Sequence, residues 1–337
     1  MENQSLVVHE ISIPGQQTFG ESVFPLVMEC QTSPASLETV ADWIRSGRDE
    51  LTQKARANGA ILFRGFPLAT PEDFDAFIAG FEFENFPYDQ SLSNAVRVNY
   101  TPRVFSSNEA PSDINIYLHH EMAQTPMFPE KLFFFCVKAA EKGGATPICR
   151  SDMLYDQMAE QCPDFARDCE EKGLRYSNVM PSGNDPASGM GRGWQGTWRA
   201  ETKEGAEERM RELGYSWEWL ANDCLRATTP TLPGTREVSP GRKTFFNQLI
   251  AAFEGWEDSR NEAAKAITHG DGTPLDRDAV AKVVRMAEEL IFDVPWQAGD
   301  VVLIDNEVAM HGRRTFEGTR KVLASLAQKS THLGRVK

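Results

Sequence analysis

"YLHHEMAQTP", residues 117–126, sets two adjacent histidines and a glutamate side by side in a chain that holds only six histidines among 337 residues. Just before it, Ile114, Ile116 and Leu118 alternate with their neighbours in the two-residue period of a β-strand. Side chains two apart on a strand face the same side, about 6.5–7 Å apart along the backbone. His119 and Glu121 therefore point together, and His120 points away. An imidazole and a carboxylate on one face can hold a divalent cation once a third ligand arrives from elsewhere. A strand histidine that merely hydrogen-bonds a carboxylate is the structural alternative, and the short pattern does not choose between the two.

The remaining histidines are His9, His269, His311 and His332. His9 and His332 lie toward the ends of the chain. His269 sits in "THGDGTPL" (268–275), a turn-rich stretch that reads as surface. His311 follows the apolar strand in "GDVVLIDN" (299–306) and is the best placed of the four to enter a neighbouring cavity.

"KLFFFCV" (131–137) is a dense apolar run suited to a buried strand, as are residues 60–64 of "GAILFRGF" and "RKVLASLAQ" (320–328). Helical patterns cover 36–57, 152–172 (ended by Gly173), 203–213 and 278–291. Another helix starts at Thr70 as N-cap, with Pro71 in the first turn and acids at Glu72 and Asp73. Strands and helices do not alternate as in a doubly wound sheet, and neither GxGxxG nor GxxxxGK[ST] is present. The expectation is an α+β chain of one domain, 1–337, built on a β-sandwich or barrel with helices around it.

At 41% hydrophobic and 25% charged, the composition is that of a globular chain with a sizeable core. The 49 acidic against 35 basic residues give −14, which repels a phosphate backbone and excludes nucleic acid as the expected partner. The six cysteines form no CxxC pair and read as reduced thiols. "MENQSLVVHEISIPGQQ" has no basic start leading into an apolar block, and no apolar run reaches the roughly 18 residues of a membrane span. A soluble, cytoplasmic protein with no membrane partner is expected; oligomeric state is not legible.

"HHEMAQTPMFPEKLFFFCVKAAEKGGATPI" (119–148) and, far downstream, "GDVVLIDNEVAMHGRRTFEGTRKVLASL" (299–326) together resemble the TauD/TfdA family of non-haem iron, 2-oxoglutarate-dependent dioxygenases. The likeness covers most of the chain, "GAILFRGF" included, and is nearest to the clavaminate-synthase-like branch, whose metal carboxylate is Glu. It implies a double-stranded β-helix (jelly-roll, cupin-like) core with flanking helices and a long insertion between the metal ligands. It implies Fe(II) on His119, Glu121 and His311, with 2-oxoglutarate and O₂ as co-substrates. Three ligands on one face leave open positions, as an oxygenase needs and a closed structural zinc site does not provide.

The resemblance also calls for an arginine to meet the distal carboxylate of 2-oxoglutarate, a task suited to a planar guanidinium. Arg320 is the expected residue, with Lys321 its competitor one position on, and Thr146 in "GGATPI" is the accompanying hydroxyl. Arg313 and Arg314 read as solvated or supporting charges. Some relatives carry a second arginine four residues on; here that position is Ala324, or Ser325 in the other register, so a substrate anion must be held elsewhere. Candidate substrate contacts are Asn108 and Glu109 in "RVFSSNEAP" (103–111), Arg192 and Trp194 in the Gly-rich, lid-like "GMGRGWQGTW" (189–198), and Phe246 and Asn247 in "FFNQL" (245–249). Phe133, Phe134, Phe135 and Trp296 read as core.

The implied reaction couples oxidative decarboxylation of 2-oxoglutarate to oxidation of an unactivated C–H bond in a small molecule, such as an amino acid or derivative. Hydroxylation, desaturation and cyclisation are all compatible with it. Two alternatives stand beside it: a metal-dependent hydrolase on the same three ligands, which needs neither Arg320 nor Thr146, and a non-catalytic metal- or ligand-binding barrel.

Overall fold

Alternate residues of the long strand Met127–Lys138 serve two different cores: Leu132, Phe134 and Cys136 face one, Phe133 and Phe135 the other. The strands beside it behave alike. Val302 and Ile304 oppose Val301 and Leu303, and Val322, Ala324 and Leu326 oppose Leu323 and Ala327. Burial on both faces is why these runs are continuously apolar instead of alternating with polar residues.

In this computed structural model, which describes residues 6–33 and 35–332, seven strands form the main sheet. Of the single domain expected over 1–337, residues 1–5, 34 and 333–337 lie outside the described part. The order is Val8–Ile11, Leu26–Cys30, Ala60–Arg64, Val301–Asp305, Met127–Lys138, Lys321–Thr331 and Phe105–Ser106. Only the Leu26–Cys30 and Ala60–Arg64 pair is parallel among the described pairings. A four-stranded sheet faces it: Ile291–Val294, Thr146–Arg150, Ala309–Arg313 and Ile116–His119. Ile148, Phe292, Val294 and Ala309 of that sheet share the inner core with Phe134, Val302 and Val322. This is an α+β jelly-roll core.

Helices cover the outer faces. Leu37–Asn58 and Pro71–Ala79 lie over the main sheet, where Phe74 stacks on Phe135 with ring centroids 5.0 Å apart. The second helix begins as its sequence demands: the Thr70 hydroxyl accepts from Asp73 N, and the Asp73 carboxylate accepts from Thr70 N. Between the two main-sheet strands Met127–Lys138 and Val301–Asp305 the chain inserts further helices and a sheet of Ser216–Trp219, Leu225–Thr228, Leu174–Met180 and Ile267–His269. The helix expected over 152–172 is in fact two, Ser151–Gln161 and Pro163–Glu171. Pro163 cannot continue a helix from within but is well suited to begin one.

Two histidines differ from expectation. His269, read as surface, is 3% exposed and lies opposite Leu174 in the inserted sheet. His332, read as part of an end segment, is buried against the rings of Phe128 and Phe246. Turn-rich composition describes the local chain and carries no information on what packs over it. All six cysteines are unpaired thiols, and no helix of the described residues is long and apolar enough to cross a membrane.

A buried charge cluster pins the second sheet to its helices. Arg150 donates to both oxygens of Asp152, at 2.8 and 2.6 Å, and Arg242 Nε donates to the same carboxylate at 2.8 Å. Burial alone would raise the Asp152 pKa; the two guanidiniums outweigh it and hold it below the usual carboxylate range. Asp152 therefore contributes stability above the unfolded carboxylate pKa of about 3.9, and that contribution is lost as pH falls from there through the lower folded value. Asp152→Ala is expected to destabilise the protein by about 3–5 kcal/mol near neutrality, since it leaves the buried Arg150 uncompensated and takes a partner from the partly exposed Arg242. It should also flatten the acid limb of the stability profile measured by urea unfolding; an unaltered limb would remove Asp152 from the acid response.

Candidate metal centre and its cavity

His119 and His311 meet because strand register makes them cross-strand partners. Ile116–His119 runs antiparallel to Ala309–Arg313, and His119 lies directly opposite His311, with Ile148 opposite His311 on the other side. Directly opposed side chains start about 4.5–5.5 Å apart at Cβ, and here the two imidazole centroids are 4.3 Å apart.

Glu121 arrives by a route the strand period did not foresee. The strand ends at His119, and Glu121 begins a turn in which Met122 takes the left-handed conformation, φ 59°. Asn306, just beyond the strand Val301–Asp305, fastens this turn. Its Oδ1 accepts from Glu121 N at 2.8 Å, and its Nδ2 donates to the carbonyls of Glu121 at 3.0 Å and Pro129 at 2.7 Å. Glu121 Oε2 thereby comes within 3.5 Å of His311 Nε2 and 4.0 Å of His119 Nε2. One ligand atom from each residue lies within 4.8 Å of the others.

This donor set fits a divalent iron. His119 Nδ1 sits 2.8 Å from the Tyr117 carbonyl, which places its proton there and leaves the Nε2 lone pair for a metal. Burial, reinforced by His311, pulls His119 down to about 3, so its imidazole is neutral near pH 7. For Glu121, burial opposes ionisation, but the Arg97 charge and His311 outweigh it and hold the carboxyl well below its usual range. Two imidazoles and one carboxylate on one face match the two-histidine, one-carboxylate pattern of non-haem Fe(II). His120 is turned away and fully buried, with Nδ1 on the Asn306 carbonyl and its ring 4.6 Å from Phe246.

A cavity of about 750 Å³, part of it open to solvent, contains the cluster. Arg320 lines it; Lys321 does not, its ammonium resting 4.7 Å from the Tyr100 ring centroid. Arg320 donates from Nε to Gly144 O at 2.8 Å and from Nη2 to Thr146 Oγ1 at 3.2 Å. Trp296 Nε1 donates to the same hydroxyl oxygen at 3.0 Å, so this indole, read as core, supports the cavity wall. Phe134 also lines the cavity, 5.1 Å from the His311 ring, while Phe133 and Phe135 keep to the outer core.

Arg313, expected as a solvated or supporting charge, is 5% exposed and lines the cavity. It donates to the carbonyls of Asn108, Ala110, Pro111 and Ile114, knitting the segment that leads into the His119 strand. Arg314 stays near the surface with Glu288 and Asp293.

The substrate candidates separate. Asn108 lines the cavity, with Nδ2 on Gly189 O at 3.2 Å and Oδ1 accepting from Ala110 N at 3.0 Å. Glu109 is exposed and is not a lining residue. Arg192 is not a lining residue either: it is buried, donating to Ser91 O and Oγ, Ser93 O and Gly196 O. Asn247 is fully buried, with Nδ2 on Gly234 O and Oδ1 accepting from Leu249 N. Trp194 gives its indole N–H to Asp223 O, and Phe246 packs in the inner core. Irregular segments leave backbone groups without ladder partners, and buried polar side chains satisfy them. Arg97, Asn306 and Gln124 belong to the site or its support without having been singled out in the sequence. Nothing local marks Arg97 or Gln124, whereas an asparagine ending an apolar strand is a visible signal for Asn306.

The profile of the family described as Taurine catabolism dioxygenase TauD, TfdA family matches residues 22–326. A clavaminate synthase-like protein of Arabidopsis thaliana is 40% identical over 329 residues, covering 96% of this chain and 99% of its own length. Dapdiamide synthesis protein DdaC of Enterobacter agglomerans is 30% identical over 283 residues, 80% of this chain and 82% of its own. Among solved structures, PvcB from Pseudomonas aeruginosa matches with a TM-score of 0.54 at 14% identity, over 97% of this chain and 92% of that one, a likeness of fold alone.

Proposed function

Because this chain belongs to the TauD/TfdA family of dioxygenases, we propose that His119, Glu121 and His311 hold its iron and that Arg320 and Thr146 receive its 2-oxoglutarate. The protein is a non-haem iron, 2-oxoglutarate-dependent dioxygenase that uses Fe(II) and O₂ and acts on a small molecule. When bound, the iron supplies O₂ activation, which couples conversion of 2-oxoglutarate to succinate and CO₂ with oxidation of a C–H bond.

The observation that carries the residue roles is the Arg320–Thr146 pair in the same cavity as the His/Glu/His cluster. Arg320 has no carboxylate partner among the described residues, and burial, together with the Arg313 charge, pulls it down to about 10. It remains a cation at neutral pH, held ready for an anion. The Thr146 oxygen accepts from both Trp296 and Arg320, which leaves its own proton to donate to that anion. A hydrolase would need neither group. Phe134 and Val322 add apolar wall, and the segment bearing Gly189 and Met190 closes another side. That segment is fastened by Ser188 Oγ donating to Asp258 and by the Arg260–Asp185 ion pair. These contacts orient the reactants and limit water.

The organic substrate is a small polar molecule, an amino acid or derivative. Hydroxylation, desaturation and cyclisation differ in where its carbon atoms are held. The test is succinate release from 2-oxoglutarate under air with Fe(II), across a panel of free amino acids. Succinate that depends on O₂, iron and one panel member is expected. Iron-dependent succinate with no response to any amino acid would reject the substrate class, and no consumption of 2-oxoglutarate would reject the residue roles.

A further inference from the structure

On the iron and 2-oxoglutarate assignments above, we propose that Arg97 anchors the organic substrate, its guanidinium binding the carboxylate of an α-amino acid whose amino group meets Gln124.

Among the described residues three guanidiniums line the cavity, those of Arg97, Arg313 and Arg320, against one carboxylate, that of Glu121. Arg313 is taken up by four backbone carbonyls, and Arg320 with Thr146 serves the co-substrate. On the strand that follows Arg320 the lining residue is Val322, so no further cation reaches the cavity from there. Arg97 is the one left over.

Its side chain is 6% exposed, and Nη2 lies 3.3 and 3.2 Å from the two Glu121 oxygens. Its Nε is buried with no hydrogen-bond partner among the described residues. The guanidinium carbon sits 4.9 Å from the Tyr88 ring centroid and 5.2 Å from that of Phe105. Contact with both rings, and a hydrogen bond with the Tyr88 side chain, hold the cation in place. Burying a guanidinium beside a single carboxylate that also serves a metal, with a donor left unmatched, is costly unless a second anion joins it. A substrate carboxylate does so and can pair bidentately.

Gln124 supplies a complementary point. It belongs to the turn that carries Glu121, lines the same cavity, and its Oε1 is buried without a partner among the described residues. An amide oxygen accepts from an ammonium group. A cation and an unmatched acceptor in one small cavity suit the two ends of a zwitterion.

The experiment is calorimetric binding to protein loaded with Fe(II) and 2-oxoglutarate under nitrogen. The probes are the proteinogenic amino acids, each paired with its α-carboxamide, which keeps shape and removes the negative charge. At least one amino acid should bind about tenfold or more tighter than its amide, a difference of about 1.4 kcal/mol. In Arg97→Gln that ratio should collapse toward one, and in Arg97→Lys part of it should return. Equal binding of acid and amide to the wild type, or no amino acid binding at all, overturns the proposal without recourse to any variant. So does a ratio that survives in Arg97→Gln, where Arg97 would serve only to position Glu121. An Arg97→Gln variant that loses 2-oxoglutarate affinity instead would give the guanidinium to the co-substrate, and overturns it equally. Failure of the wild type to take up 2-oxoglutarate is a separate result, which removes the assignments beneath it.

Discussion

His311→Ala is expected to abolish iron-dependent succinate formation and to weaken Fe(II) binding by more than the roughly 10–100-fold that loss of a ligand's supporting partner costs. Among the described residues the imidazole is one of three groups whose donor atoms converge, and removing it leaves His119 and Glu121 with an incomplete face. The strand should survive the change. Its pairings with the His119 strand and with Ile148 are made by backbone groups, and alanine keeps them. What is lost in packing are the ring contacts with His119 and Phe134. Fe(II) affinity measured by calorimetry under nitrogen, alongside thermal unfolding of the same sample, separates metal loss from misfolding. Undiminished iron affinity in a folded variant would remove His311 from the centre.

Arg320→Ala is expected to raise the KM for 2-oxoglutarate at least about thirtyfold, since leaving a buried charged partner unpaired costs about 2–5 kcal/mol. Fe(II) affinity should stay near wild type, because the Arg320 side chain is bonded to Gly144 and Thr146 and not to the three metal candidates. Arg320→Lys should recover part of the loss, keeping the charge without the planar fork. Lys321→Ala should leave the KM nearly unchanged, as its ammonium rests over Tyr100 away from the cavity. Initial rates over a 2-oxoglutarate series decide the matter. A larger effect at Lys321 than at Arg320 would overturn the assignment.

Much of this architecture is local chemistry. The run from Lys131 to Val137 is apolar at nearly every position because both faces of its strand are buried, and such a run can be read directly. The helix after Thr70 starts where its capping residues place it, by hydrogen bonds spanning three residues. His120 does turn away from His119, but it lies one residue past the end of the strand and is held by the distant carbonyls of Asn247 and Asn306. Family resemblance carried the reading further, to the distant segment holding His311 and Arg320.

The strand runs, the capped helix starts and the types of residue able to form a metal centre are thus governed by interactions a few residues long. Which polar side chains were left for ligands depended instead on long-range packing. Arg192 meets Ser91, 101 residues away, and Arg313 meets Asn108, 205 residues away, so both are occupied by backbone carbonyls that no local pattern announces. Glu121 reaches the centre through a turn clamped by Asn306, 185 residues distant, and not through the period of its strand. Arg97 became visible only once the fold set it beside that carboxylate with an unmatched donor. A buried polar group must find a partner, and whether that partner is backbone, side chain or ligand depends on which distant segments the fold packs against it.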